Sequence, residues 1–241
     1  MTPQDKAKIA AGRKALEEFV EDGMTLGLGS GTTSHFFVRL LGERVRAGLS
    51  ITATTTSRST TAVAEEVGIA ITDVNDVGVI DLTIDGPDEI DGAFRMIKGG
   101  GACLLWEKIV AHASTRMITV CDESKIVERL GGFPLPIEVV QFGWRQTQRR
   151  IETVLASSDV ARVDLSRRER DGVPVVTDSG HFILDARCGT IGDPEELELA
   201  LNAIPGVVEN GLFSRESDGM CVGRFDETAY VALRGREASG G

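Results

Sequence analysis

The sequence predicts an α/β protein: a parallel, Rossmann-like sheet domain with a smaller ferredoxin-like α+β insert domain. Three observations support this fold class. Short apolar strands alternate with helices, polar or glycine-rich turns follow the strands directly, and the order of elements changes after a proline-containing stretch at residues 131–136. A chain of 241 residues with 41% hydrophobic and 26% charged residues can bury one large core, or one large and one small.

The first half of the chain predicts βαβ units. Helices are expected at residues 4–21, 32–41, 62–67 and 103–114, with Gly68 closing the third. Strands are expected at residues 24–29, 50–54, 80–84 and 117–121. Strands that alternate with helices at this spacing indicate a parallel sheet.

The second half predicts a separate small domain. Two prolines in the stretch at residues 131–136 mark the boundary, and a strand begins at Ile137. A helix at 145–156, a strand at 161–165, a charged loop at 166–172, strands at 173–177 and 181–185, a helix at 194–203 and a strand at 207–208 follow. This βαββαβ order fits a ferredoxin-like domain over residues 133–208. Residues 1–132 plus 209–241 then form the α/β catalytic domain, and residues 238–241 are a Ser/Gly tail.

Composition excludes several classes of function. A net charge of −11 and a pI near 4.8 argue against nucleic acid and against a membrane surface as partners. No signal peptide or apolar run of the about 18 residues needed to span a membrane is present, so we expect a cytoplasmic protein. The four cysteines are scattered without a C-x-x-C pair, and the three histidines form no i, i+4 pair. We therefore expect reduced buried thiols and no metal site.

The acidic segment that follows the strand at 80–84 is the most informative part of the chain. Asp81, Asp85, Asp88 and Asp91 lie within eleven residues, with Glu89 beside them. Gly86 and Pro87 predict a turn that lets Asp85 and Asp88 face one pocket. Carboxylates grouped after a strand indicate proton-transfer chemistry at the carboxyl edge of the sheet.

A second signal lies between Lys98 and Glu107. Gly99, Gly100 and Gly101 predict close approach or unusual backbone dihedrals, and Lys98 supplies a cation where negative charge develops. If Glu107 packs against an apolar wall, its pKa rises as a general base requires. The alternative is a solvated glutamate on a helix surface, paired with a neighbouring cation such as Lys108.

The glycine turn after the first strand indicates an anion site. The segment GLGSGTTS (27–34) joins a strand to a helix, so its amide groups and the hydroxyls of Ser30, Thr32 and Thr33 suit a phosphate monoester. Thr32 stands where the dinucleotide fingerprint needs glycine, which argues against a nucleotide-dependent oxidoreductase, and no P-loop lysine follows. A tight turn with a hydroxyl cap is the alternative.

Two further polar segments follow strands. Residues 54–57 read Thr-Thr-Thr-Ser and Cys121 is followed by Asp-Glu-Ser-Lys. Ligand contact and plain helix capping are both open for each segment, with Asp122 as a cap and Lys125 within reach of a phosphate.

Taken together, these segments resemble the A type of ribose-5-phosphate isomerase. The resemblance rests on GLGSGTTS (27–34), TTSRST (55–60), DGPDEID (85–91), KGGGACLLWEK (98–108), CDESKIVERLGGFPLPIEV (121–139) and PGVVENGLF (205–213), in the family's order and spacing. It implies an aldose–ketose isomerase of the non-oxidative pentose phosphate pathway. Such an enzyme interconverts ribose 5-phosphate and ribulose 5-phosphate through an enediolate, without metal or organic cofactor, and works as a homo-oligomer, expected to be a dimer.

The resemblance also implies roles for single residues. Glu107 matches the general base, Asp85 and Asp88 the carboxylates for ring opening and hydroxyl protons, and Lys98 the cation near the enediolate. Substrate-binding positions are Ser30, Gly31, Thr32, Thr33, Gly86, Pro87, Gly99, Gly100, Gly101, Lys125 and Lys8.

Three positions depart from the family's usual residues. Ser30 stands in place of Thr, Pro87 in place of Ala, and Trp106 beside the predicted base in place of Arg. The rival function is a non-catalytic sugar-phosphate sensor, which would keep the phosphate loop and could lose Glu107 and Lys98. Both residues are present, and turnover separates the two functions.

Overall fold

The computed structural model describes residues 1–235, and the C-terminal residues 236–241, including the predicted Ser/Gly tail, lie outside them. Six α-helices are described: α1 (Pro3–Phe19), α2 (Gly31–Arg46), α3 (Arg58–Glu66), α4 (Leu104–His112), α5 (Trp144–Ser157) and α6 (Pro194–Asn202). The strands are β1 (Thr25–Leu28), β2 (Thr52–Thr55), β3 (Leu82–Asp85), β4 (Glu89–Asp91), β5 (Met96–Ile97), β6 (Met117–Asp122), β7 (Ile126–Val127), β8 (Leu135–Val139), β9 (Leu165–Arg167), β10 (Glu169–Arg170), β11 (Val173–Pro174), β12 (Phe182–Ala186), β13 (Val207–Asn210), β14 (Leu212–Phe213), β15 (Gly219–Gly223) and β16 (Ala229–Leu233).

The chain divides into two compact units. The first comprises Met1–Pro87, Trp106–Ile126 and the chain from Arg215 onward; the second comprises Asp88–Leu105 and Val127–Ser214. The limits predicted from the sequence, 133 and 208, lie a few residues inside the longer segment of the second unit. The segment Asp88–Leu105 was predicted in the first domain, whereas the structure groups it with the second unit.

The first unit contains the predicted parallel sheet. Its strand order is β16-β15-β6-β3-β1-β2, in which all neighbours are parallel except β15 and β16. The C-terminal strands β15 and β16 complete this sheet. The core of the unit packs apolar side chains of the sheet, such as Leu26 and Ile84, against those of the helices, such as Phe37 and Leu41. Helix α1 begins with a capping box, in which Thr2 and Asp5 exchange backbone-to-side-chain hydrogen bonds.

The second unit contains the predicted ferredoxin-like arrangement. Strands β13-β8-β12-β9 form an antiparallel sheet, and α5 and α6 follow β8 and β12 in the βαββαβ order. Apolar residues at alternate positions of β8 join the core with α5 and α6, whereas Glu138 lies on the opposite face. A small sheet of order β14-β5-β4-β7 holds the residues around the acidic turn.

Several predicted element limits need correction. The strand expected at 161–165 begins at Leu165, because its partner β12 ends at Ala186, which pairs with Leu165. The charged loop at 166–172 contains the short hairpin of β10 and β11, so the strand expected at 173–177 is limited to Val173–Pro174. Helix α2 continues to Arg46, five residues beyond the predicted end. Within residues 1–235, no helix combines the length and the apolar character needed to cross a membrane.

Candidate active site

The predicted carboxylate Asp85 lies at the point where the order of parallel strands reverses. Strand β1 pairs with β2 on one side and β3 on the other, and ligands of open α/β sheets bind beside the carboxyl ends of such strands. Asp85 is the last residue of β3 and is fully buried. Its Oδ1 accepts hydrogen bonds from the amides of Ser30 (3.0 Å) and Gly86 (2.7 Å) and from Ser34 Oγ (3.1 Å). One carboxylate oxygen therefore fixes the ends of both strands.

The glycine turn after β1 is built around this carboxylate. A Cβ added at Gly29 would overlap the side chain of Asp85, so glycine at this position lets β1 and β3 end side by side. Gly31 has φ of +88° at the start of α2, a conformation that favours glycine. Gly29 thus has a packing role, whereas Gly31 opens the helix.

A cluster of hydroxyl groups surrounds Ser30. Ser30 Oγ lies 2.7 Å from Thr56 Oγ1, 2.8 Å from Ser57 Oγ and 3.3 Å from Thr60 Oγ1. Thr60 Oγ1 donates to the Gly29 carbonyl (3.0 Å). Ser57 also caps α3 by accepting from the Thr60 amide (3.1 Å). The capping interpretation of residues 54–57 is therefore confirmed, and the same residues brace the predicted phosphate loop.

The N-terminus of α2 presents the remaining predicted loop residues. Gly31 and Thr32 are exposed and Thr33 is half-buried. Lys8 of α1 donates from Nζ to Thr32 Oγ1 at 3.1 Å, so the structure brings two of the predicted phosphate ligands together. The exposed amides of a helix start, together with a lysine, favour an anion.

Lys125 lies in the turn that follows β6. Asp122 accepts from the Ser124 amide (3.1 Å) and thereby caps the short 3₁₀ turn Glu123–Lys125, which confirms the capping interpretation. Gln4 Nε2 donates to Asp122 Oδ2 (3.2 Å) and ties this turn to α1. Lys125 is half-buried at the carboxyl edge of the parallel sheet.

The predicted base lies at the start of α4. Glu107 occupies the first turn of this helix and is only 5% exposed. The alternative of a solvated glutamate on a helix surface is therefore wrong. Helix α4 leads into β6, and a helix that precedes a parallel strand begins at the carboxyl edge of the sheet. Its neighbour Trp106 lines a cavity of about 490 Å³ together with Ile109, Val110 and residues of β2 and the 71–75 segment.

In the second unit, Asp88 and the glycine loop hold one another. The Asp88 amide donates to the Ile97 carbonyl (2.8 Å), and the Gly100 amide donates to Asp88 Oδ2 (2.7 Å). A Cβ at Gly100 would lie 2.6 Å from Asp88 Oδ1, so a larger residue at this position would displace the Asp88 carboxylate. Gly101 is exposed.

Lys98 is almost completely buried, with 1% of its surface exposed. Its amide donates to the Gly211 carbonyl (2.8 Å), and Nζ lies 5.5 Å from the centroid of the Phe213 ring. Lysine side chains are rarely buried in this way, so the burial of Lys98 between β5 and the glycine loop indicates a specific role.

The other acidic residues of the segment have structural partners. Asp81 accepts from the Thr25 amide (2.8 Å), and Glu89 accepts from the Gly131 and Phe133 amides (2.8 and 2.6 Å). Asp91 pairs with Arg95 at 2.7 Å. Asp85 belongs to the first unit and Asp88 to the second. That the two carboxylates face one pocket stays a prediction.

The family model of ribose 5-phosphate isomerase A (phosphoriboisomerase A) matches residues 52–227, about three quarters of the chain. The chain belongs to the ribose 5-phosphate isomerase A family. A relative named ribose-5-phosphate isomerase A 2, from Yersinia pseudotuberculosis serotype I (strain IP32953), is 64% identical over 96% of this chain and 98% of its own length.

Solved structures of the ribose 5-phosphate isomerase A family agree with the fold. A D-ribose-5-phosphate isomerase in complex with phospho-erythronic acid aligns with a TM-score of 0.87 and 37% identity, covering 96% of this chain and 99% of that chain. The ribose 5-phosphate isomerase of Plasmodium falciparum aligns with a TM-score of 0.89 and 30% identity, covering 96% and 100%.

Thr56 and Ser57 were singled out from the sequence, but Arg168 was missed. Arg168 lies in a segment interpreted as a charged loop, yet its guanidinium contacts the glycine loop. Among the described residues, no three His, Cys, Asp or Glu side chains cluster in a way that could hold a metal ion.

Proposed function

We propose that this protein interconverts D-ribose 5-phosphate and D-ribulose 5-phosphate, a step of the non-oxidative pentose phosphate pathway. The observation that carries the proposal is the 64% identity, over 96% of the chain, to a relative named as a ribose-5-phosphate isomerase A. Because the matched relatives carry isomerase names and Glu107 and Lys98 are both present, the comparisons argue against a non-catalytic sensor.

Glu107 is the proposed general base. Aldose–ketose isomerisation removes a proton from C2 and returns it to C1, so one carboxylate that holds the proton is sufficient. Support comes from its burial in the first turn of α4. A buried carboxylate holds a proton away from bulk water, which suits transfer between adjacent carbons.

Lys98 is the proposed electrophile, and Asp85 and Asp88 handle the hydroxyl protons and ring opening. An enediolate carries negative charge on oxygen, and a fixed ammonium group stabilises it most where water is excluded. The burial of Lys98 supports this role. The three hydrogen bonds to Asp85 Oδ1 and the bond from Gly100 to Asp88 support fixed carboxylate positions.

The phosphate is proposed to bind at the N-terminus of α2. Gly31, Thr32 and Thr33 supply amides and hydroxyls, Ser30 shapes the loop, and Lys8 and Lys125 supply positive charge. The contact of Lys8 with Thr32 supports this assignment. Binding energy from a remote phosphate helps to orient the reacting carbons. Gly86, Pro87 and the Gly99–Gly101 backbone are proposed to line the sugar.

No metal or organic cofactor takes part in the proposed reaction. We also propose that the protein is a cytoplasmic homodimer, as the family resemblance implies. The four cysteines are free, which fits a reducing compartment. Sedimentation velocity at micromolar concentration tests the dimer, and a monomer that keeps full activity would contradict it.

The exchange of Glu107 for Gln tests the central role. Glu107→Gln keeps the size of the side chain and removes the base, so kcat for ribose 5-phosphate is expected to fall by about 10³-fold or more. Glu17→Gln, on the exposed surface of α1, is the matched control and should keep the wild-type rate.

Calorimetric titration with ribose 5-phosphate checks that the Glu107 variant still binds its ligand. Near-wild-type turnover by Glu107→Gln would reassign the base, with Asp85 as the next candidate.

A further inference from the structure

The glycine loop after Lys98 is held by an arginine 68 residues further along the chain. Arg168 Nη1 donates to the carbonyls of Gly99 (2.8 Å) and Gly100 (3.0 Å). The two consecutive carbonyls thus accept from one donor group. Gly99 has φ of +102°, a conformation that only glycine adopts readily, so the glycine gives the loop the backbone shape that the arginine binds.

The arginine is itself fixed by a carboxylate of the antiparallel sheet. Arg168 Nε donates to Asp185 Oδ2 (2.8 Å) and Nη2 to Oδ1 (2.5 Å), a bidentate pair. Both side chains are only 15% exposed. Asp185 lies in β12, paired with Pro136 of β8 and Ser166 of β9. The guanidinium therefore links a rigid sheet to the glycine loop.

We propose that Arg168, held by Asp185, is a positioning residue that sets the conformation of the loop carrying Lys98. The inference rests on the proposed function, in which Lys98 stabilises the enediolate. The loop is fixed at successive points: the Lys98 amide by Gly211, the Gly100 amide by Asp88, and the two carbonyls by Arg168.

The chemistry of the site explains why arginine is needed there. A planar guanidinium offers five N–H donors in fixed directions, so it serves both carboxylate oxygens and two carbonyls at once. A lysine at this position carries the same charge, but its single ammonium group cannot reach the Asp185 carboxylate and both carbonyls at once. Because a displacement of about 1 Å at a reacting group can cost about 100-fold in rate, loosening this loop is expected to lower kcat.

Arg168→Met tests the proposal in the ribose 5-phosphate assay. We expect kcat to fall by about 10- to 100-fold and KM to rise by a smaller factor, because the loop is proposed to line the sugar as well but the phosphate ligands are unchanged. The matched control is Arg167→Met. Arg167 stacks on the rings of Trp144 and Phe182 and has no contact with the glycine loop among those described, so its variant should keep kcat within about twofold.

A structural role alone predicts a different pattern. If Arg168 merely stabilised the fold, Arg168→Met would lower the melting temperature, and kcat of the folded fraction would stay at the wild-type value. If Arg168→Met does not fold, Arg168→Lys carries the test, with an expected fall in kcat of about tenfold. An unchanged kcat in the folded variant overturns the proposal.

The double variant separates this inference from the proposed function. If Arg168 acts through Lys98, then Arg168→Met lowers kcat little further in a Lys98→Ala background. Equal fold-losses in both backgrounds overturn the positioning role. Wild-type kcat in Lys98→Ala overturns the role of Lys98 itself. Loss of activity in Lys98→Ala with wild-type kcat in Arg168→Met overturns the positioning role alone.

Discussion

Removing the side chain of Asp85 is predicted to destabilise the protein as well as to inactivate it. Asp85→Ala leaves the amides of Ser30 and Gly86 and the hydroxyl of Ser34 without their acceptor. A buried donor that loses its partner costs about 1–3 kcal/mol, so these three predict a loss of about 3–9 kcal/mol in the free energy of unfolding. The lower end of this range is expected, because Gly86 is only half-buried. Such a loss is a large part of the about 5–15 kcal/mol that stabilises an ordinary domain.

Two milder substitutions calibrate this value. Asp85→Asn keeps an oxygen acceptor and loses the charge, so we expect a cost of about 1 kcal/mol; Ser34→Ala removes one of the three donors and should cost about the same. Urea denaturation followed by circular dichroism measures all three variants. A loss below about 1 kcal/mol in Asp85→Ala would refute the reasoning, because it would mean that water or another acceptor replaces the carboxylate.

Three further predictions concern binding, pH and thiol chemistry. Lys125→Ala should raise KM by about tenfold with little change in kcat, and an unchanged KM in the same steady-state assay would remove Lys125 from the phosphate site. Burial raises the pKa of Glu138 above its ordinary value of 4.5, although His181 and Thr177 donate to it. Its folded pKa thus exceeds its unfolded pKa, so stability is lost as the pH rises from about 4.5 through the folded pKa. Glu138→Gln should lack this loss, so its free energy of unfolding in urea should rise relative to that of the wild type from pH 4 to 7. A difference between the two proteins that stays constant with pH would contradict the direction of the pKa shift. Burial also raises the pKa of Cys121 and Cys221 to about 12 and that of Cys188 to about 11. A disulfide reagent at pH 8 should therefore titrate half-buried Cys103 first, and rapid reaction of all four thiols in the native protein would be evidence against it.

The parts of the site that follow from local sequence were predictable. Asp85 ends a strand, Gly29 and Gly31 mark a strand-to-helix turn, and Asp122 caps the turn after β6, each signalled by the residues next to it. The ferredoxin-like order of the second unit was predictable for the same reason, since each of its elements has its own periodicity.

The parts that depend on distant contacts were not predictable. Strand β5 pairs with β14, which lies more than 110 residues later, and this contact places residues 88–105 in the second unit. The proline-containing stretch at 131–136 marks only one of the boundaries. The bond from Arg168 to Gly99 likewise joins residues whose sequence neighbours give no sign of each other. The charged segment contains several arginines, and the sequence does not show which of them contacts the glycine loop. Arg168 does so because it pairs with Asp185 on β12.

Proton NMR of the isomerisation tests the central claim most directly. The wild-type protein is incubated with ribose 5-phosphate in D₂O containing EDTA. We predict that ribulose 5-phosphate appears and that deuterium is incorporated at C1, as proton transfer through an enediolate requires. Absence of conversion, with ligand-induced shifts still visible in the spectrum of the protein, would contradict the account and would identify a binding protein that has the site residues of an isomerase.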